Sequence, residues 1–124
     1  MGGMFAGCMG LTNLDLSSFD TKKVTNMAGM FEICVGLTSL DLSSWDTSIV
    51  TDMSEIFFSC ENLVAIYVSK DWTTSAVTSG SKMFYGCTKL VGGNGTAYNG
   101  SYIDKSYAVI DTAETPGYLT LKEN

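Results

Sequence analysis

Apolar residues recur at two different spacings in this chain, and the two alternate along it. Met27, Met30, Phe31, Cys34 and Leu37 follow the i, i+3, i+4, i+7 intervals of one helical face, which predicts a short helix ending near Gly36 or Leu37. Thr25 or Asn26, and one unit later Thr51 or Asp52, suit the N-cap, where a side-chain oxygen accepts unpaired N–H groups of the first turn. Leu40-Asp41-Leu42 then alternates as a short strand, matched by Leu14-Asp15-Leu16 and Ile66-Tyr67-Val68. Ser43-Ser44 and Asp46-Thr47 turn the chain back, with Asp20 and Asp46 organising their turns through side-chain oxygens.

This pattern belongs to an internal repeat of about 26 residues. The segment from Met4 to Thr21 reappears with high identity from Met30 to Thr47, and each copy is followed by Val-Thr-x-Met, at Val24 to Met27 and Val50 to Met53. A third copy starts at Ile56 and aligns with one extra residue at Asp71; a fourth starts at Met83 and stops where Gly93 and Gly95 fill the strand positions. The predicted organisation is one domain, with units over 4–29, 30–55, 56–82 and 83–91 and a C-terminal cap over 92–124. A strand, a turn and a short helix cannot bury their apolar edge alone, so neighbouring units are expected to stack. Parallel strands pair at roughly 4.8 Å and helices pack at roughly 8–10 Å, so the stack should curve. The expected fold is therefore an α/β solenoid: a right-handed leucine-rich-repeat-like coil with strands on the concave side, helices on the convex side and an irregular cap.

The string MFxxCxxLTxLDLSxxDTxxVTxM resembles the 26-residue repeat of BspA-like bacterial surface proteins over residues 4 to about 90, and the tail from Gly92 to Tyr118 resembles the segment that closes such arrays. The resemblance implies an extracellular or cell-surface solenoid that adheres to a protein or glycan on another cell or host surface. Two departures stand out. Gly80 replaces the second Met of the third unit, and no secretion signal, anchor or N-terminal cap is apparent. The expectation is the C-terminal part of something longer or an unusually small member.

Repetition also governs the reading of the chemistry-bearing residues. Cys8, Cys34, Cys60 and Cys87 are spaced by 26, 26 and 27 residues, so with Leu14, Leu40 and Ile66 they should form structural ladders. Helices roughly 8–10 Å apart would hold successive cysteines too far apart for disulfides, and a column does not draw ligands into a tetrahedral zinc site, so free buried thiols are expected. Phe5-Ala6-Gly7-Cys8 has the look of a lipoprotein cleavage box, but no basic segment or apolar run precedes it. The Phe5, Phe31, Phe57, Phe84 and Met4, Met30, Ile56, Met83 columns read as core. Phe19, Trp45 and Trp72 are expected to seal the turn side of that core.

Composition then narrows the function. A 45% hydrophobic, 16% charged chain should fold, and a net charge of −6 disfavours nucleic acid and anionic membranes as partners. Its longest apolar run, Leu63 to Val68, is far short of the roughly 20 residues of a membrane span. Histidine is absent, and neither a phosphate loop nor a convergent carboxylate pair is found, so no enzyme, cofactor or metal is expected.

Binding is expected instead on strand positions facing away from the core: Asn13, Asp15, Ser17, Ser39, Asp41, Ser43, Ala65, Tyr67 and Ser69. Asp15 and Asp41 would stand ~5 Å apart and repel by roughly 0.8 kcal/mol, which a cation would relieve, although a calcium site normally takes six or more oxygens. Asn94-Gly95-Thr96 and Asn99-Gly100-Ser101 match the glycosylation pattern and are read as polar loops. The alternative function is a structural or self-assembling scaffold that associates through the exposed edge of its first repeat.

Overall fold

The computed structural model describes residues 5–7, 16 and 20–122. Among these the regular structure is three short strands, β1 (Ser39–Asp41), β2 (Ala65–Val68) and β3 (Leu119–Leu121), and one 3-10 turn, Lys105–Tyr107. The strands form one open sheet in the order β1-β2-β3, with both pairings parallel. Leu40 pairs with Ile66 and Ile66 with Leu119, all three buried, while Asp41, Tyr67 and Thr120 form the neighbouring row on the other face.

The expected helices are not found among the described residues, where no α-helix occurs, and with them the α/β solenoid and the leucine-rich-repeat-like coil are set aside. Ile33, Glu55, Ser59 and Lys82 hold φ between 55° and 59°, and Gly7, Gly29 and Gly86 hold φ between 62° and 80°. A right-handed helix cannot continue through such residues. They recur in two columns, Gly29, Glu55, Lys82 and Gly7, Ile33, Ser59, Gly86, so among the described residues the same two interruptions, four residues apart, appear at 29 and 33, 55 and 59, and 82 and 86.

Backbone hydrogen bonds explain why a helical spacing appears without a helix. Met30 N donates to Met27 O (3.2 Å), Cys34 N to Phe31 O (3.1 Å) and Leu37 N to Cys34 O (3.2 Å), so the segment is a run of linked four-residue turns, each closed by a bond from residue i+3 back to residue i. Intervening N–H groups leave the unit. Met27, Gly29, Phe31 and Ile33 donate to Asp52, Ser54, Ile56 and Phe58, and Met53, Glu55, Phe57 and Ser59 donate to Ser79, Ser81, Met83 and Tyr85. An α-helix spends its donors along its own axis. Here every second donor ties one unit to the next.

Asn26 and Asp52, expected as helix N-caps, have no helix to cap among the described residues and instead brace the first of these turns. Asn26 Oδ1 accepts from Ala28 N (2.9 Å), and Asp52 Oδ1 accepts from Ser54 N (2.9 Å) and Ser54 Oγ (2.7 Å). Asp20 Oδ1 and Asp46 Oδ1 likewise accept from Lys22 N and Ser48 N. A staple that the residue pattern did not suggest joins the same side. Thr47 is fully buried; its Oγ1 donates to Thr73 O (2.8 Å) and accepts from Thr73 N (3.0 Å), as Thr21 Oγ1 does with Asp46 O and N.

The core lies between the turn run and the sheet. Phe5, Phe31, Phe57 and Phe84 stack with successive ring centroids 5.6, 5.9 and 5.6 Å apart, nearer the spacing of strands than of helices. The difference in spacing from which curvature was expected is therefore absent. It also removes the distance argument against disulfides. Cys34, Cys60 and Cys87 are buried, and each Sγ donates to a carbonyl of the preceding unit, Phe5 O, Phe31 O and Phe57 O, at 2.9–3.0 Å. Cys60 and Cys87 are free thiols.

The third strand comes from the tail and not from the fourth unit. Val91 N donates to Val64 O, extending the ladder one step, and the chain then departs at Gly92. A Cβ at Gly92 would lie 2.1 Å from Gly117 O and 2.5 Å from Asp111 Oδ2, so only glycine fits where the tail crosses. Leu119 takes the place beside Ile66, and its outer edge is bridged to Ile110. Buried Asp111 fastens this crossing by accepting from Asn94 N, Thr96 N, Thr96 Oγ1 and Gly117 N. Burial pushes its carboxyl up, but the bonds from Thr96, Asn94 and Gly117 more than offset that and hold it below the ordinary value of 3.8.

Candidate binding face

Strand alternation puts Leu40, Ile66 and Leu119 into the core and leaves Ser39, Asp41, Ala65, Tyr67 and Thr120 half-buried on the opposite face. Ser39 pairs in register with Ala65, and Asp41 with Tyr67. Ser39, Asp41 and Tyr67 share one hollow of about 290 Å³, and Lys122 completes its lining. Neither the Ser39 nor the Tyr67 hydroxyl takes part in a hydrogen bond among the described residues.

Asp41 is held in place from two sides. Its Oδ1 accepts from Ser43 N (3.0 Å) and Ser43 Oγ (2.6 Å), and its Oδ2 accepts a short hydrogen bond from Lys122 Nζ. Burial pushes the carboxyl up; the bonds from Lys122 and Ser43 outweigh it and hold Asp41 below its ordinary value. Both partners of the ion pair are 44% exposed, so the pair contributes at most about 1 kcal/mol.

Ser43 and Ser69 do not join this hollow. They lie beyond the strand ends and line a second one of about 440 Å³, whose walls include Lys22, Asp46 and Asp71. Ser43 is engaged by Asp41, and Ser69 Oγ accepts from Asp71 N. Asn13, Asp15 and Ser17 lie outside the described residues, as do Cys8, Leu14, Met4 and Phe19 and the first-repeat edge through which self-association was expected. The juxtaposition of Asp15 and Asp41 lies there too. Among the described residues no group of three or more Cys, Asp or Glu side chains is arranged to hold a metal ion, and no helix is long and apolar enough to cross a membrane.

Lys122 is the participant that the repeat pattern missed. A signal for it existed: Leu119-Thr120-Leu121 has the Leu-x-Leu form of Leu40-Asp41-Leu42, and Leu119 and Leu121 pair with Ile66 and Val68. The 26-residue period has lapsed before this segment, so the repeat does not mark it as a strand.

Short parallel strands and linked turns, tied together at a 26-residue interval and bearing a polar hollow on the sheet face, define a repeat-built strand-and-turn protein. A family model described as "Mycoplasma protein of unknown function, DUF285" matches residues 1–116, and the chain belongs to that family. This corrects the assignment to the BspA-like surface-protein repeats, and the cell-surface setting which that resemblance implied loses its support. No curated protein and no solved structure matches the chain.

Proposed function

We propose that the chain is a non-catalytic binding module that presents its strand face to a protein or glycan partner. The observation that carries this reading is the gathering of Ser39, Asp41 and Tyr67 into one hollow, with two hydroxyls left unengaged on a half-buried surface. Unsatisfied hydroxyls and an aromatic ring beside a fixed carboxylate are groups that orient a bound partner. They are held on paired strands and not on loops, which keeps their geometry fixed before a partner arrives.

A glycan array and a pull-down from cell-surface proteins, run in parallel with the purified chain, test the reading. Asp41→Ala and Tyr67→Ala should each weaken capture at least tenfold while the urea midpoint stays near that of the parent chain. Capture unaffected by both substitutions would remove the strand face from consideration.

A further inference from the structure

Lys122 does something that a surface lysine has no need to do. It follows β3 directly, yet its ammonium reaches Asp41 on β1, two strands away, with Tyr67 of the intervening strand in the same hollow. Among the described residues, Lys105 Nζ instead donates to a backbone carbonyl, at Val77, and Lys89 Nζ to a surface amide, at Asn62. At Asp41, Ser43 takes Oδ1 from both its N–H and its hydroxyl, which leaves Oδ2 as the oxygen presented to the hollow.

We propose that Asp41 Oδ2, on the wall of this hollow, receives a primary ammonium on an unbranched aliphatic stem, namely a lysine side chain of a partner protein, and that Lys122 holds that oxygen until such a partner displaces it. The proposal rests on the strand-face reading above and gives that face a partner chemistry. The chain's own side chain shows which charge this carboxylate oxygen accepts. An ammonium is favoured by a carboxylate oxygen that no other donor among the described residues engages. The occupant is readily displaced, because both sides of the pair are 44% exposed. A net charge of −6 draws basic partners toward the molecule.

The test uses the full chain, amide chemical shifts as the readout, and the blocked tripeptide Gly-Lys-Gly as the probe, with Gly-Glu-Gly as control. The lysine probe should shift the amides of Asp41, Tyr67 and Lys122, and the glutamate probe should not. Lys122→Ala removes the internal competitor and should tighten the lysine probe by up to about fivefold, which corresponds to roughly 1 kcal/mol, the upper end for an exposed pair. Lys23→Ala removes the same charge outside the hollow and should leave affinity unchanged. Asp41→Asn keeps an acceptor for Ser43 and should abolish binding.

Equal affinity in Lys122→Ala and Lys23→Ala, or retention of the probe by Asp41→Asn, would overturn the proposal. If the lysine probe leaves the hollow unshifted while Tyr67→Ala still abolishes capture on a glycan array, the ammonium proposal falls and the strand-face reading stands. If neither occurs, both fall.

Discussion

Trp45 and Trp72 occupy equivalent places in successive units, both are buried, and they differ in one hydrogen bond. Trp72 Nε1 donates to Ala108 O at 2.8 Å, which ties the third unit to the tail, whereas Trp45 Nε1 is buried with no partner. A buried donor without an acceptor carries its desolvation cost unrepaid. Phenylalanine at either position loses ring volume, but at 45 it also removes the orphaned donor, and at 72 it strands a carbonyl. We therefore expect Trp72→Phe to lower the unfolding free energy by about 1–2 kcal/mol more than Trp45→Phe, measured by urea denaturation. The thiols illustrate the opposite case, in which every group is engaged. Cys60 and Cys87 each give their one S–H to a carbonyl of the preceding unit, and the neighbouring Cys60 sulfur and burial together push the Cys87 thiol well above the ordinary thiol value, which favours its protonated form.

The linked-turn segment makes a prediction whose sign separates it from a helix. Lys82 is exposed with φ 55°, in the column that Gly29 occupies with φ 62°. Left-handed backbone costs a side-chain-bearing residue about 1–2 kcal/mol and costs glycine little. Lys82→Gly should therefore stabilise the chain by about 0.5–1 kcal/mol, and Gly29→Ala, whose Cβ would sit 2.9 Å from Glu32 Oε2, should destabilise it. In a helix both signs would reverse, because glycine there costs about 1 kcal/mol relative to alanine. A pair of thermal melts decides between them. Inward residues at 27, 30, 31, 34 and 37 fit one helical face, and a series of turns closed between residues i and i+3 spaces them identically, so the spacing does not distinguish the two backbones.

Across the assembled chain, carboxylates fasten turns and tail: Asp46 and Asp104 through Ser48 and Ser106, Asp41 through Ser43 and Lys122, and Asp111 through the crossing at Gly92. All four are held below the ordinary aspartate value of 3.8. A depressed folded-state pKa contributes stability that is present above the unfolded value and is lost as pH falls through the folded one. The melting temperature should thus be level above about pH 5 and fall progressively below about pH 4. Asp111→Asn should lower the plateau and flatten the decline, since its carboxylate accepts four hydrogen bonds in a buried setting. A decline of equal steepness in that variant would show that Asp111 contributes nothing to it.

Periodicity was enough to state which residues become neighbours. Leu40 beside Ile66, the phenylalanine column and the outward placement of Ser39, Asp41 and Tyr67 all follow from a 26-residue interval and a period of two, because equivalent side chains in adjoining units face equivalent surroundings. What periodicity could not state is where each backbone N–H goes. That depends on whether donors close within a unit or cross to the next, and inward-facing side chains are spaced alike in both cases. The same blindness hid Lys122, whose partner lies 81 residues away and comes into reach only because the tail returns as a third strand. Contacts of that separation are made by chain return, and no local spacing encodes them.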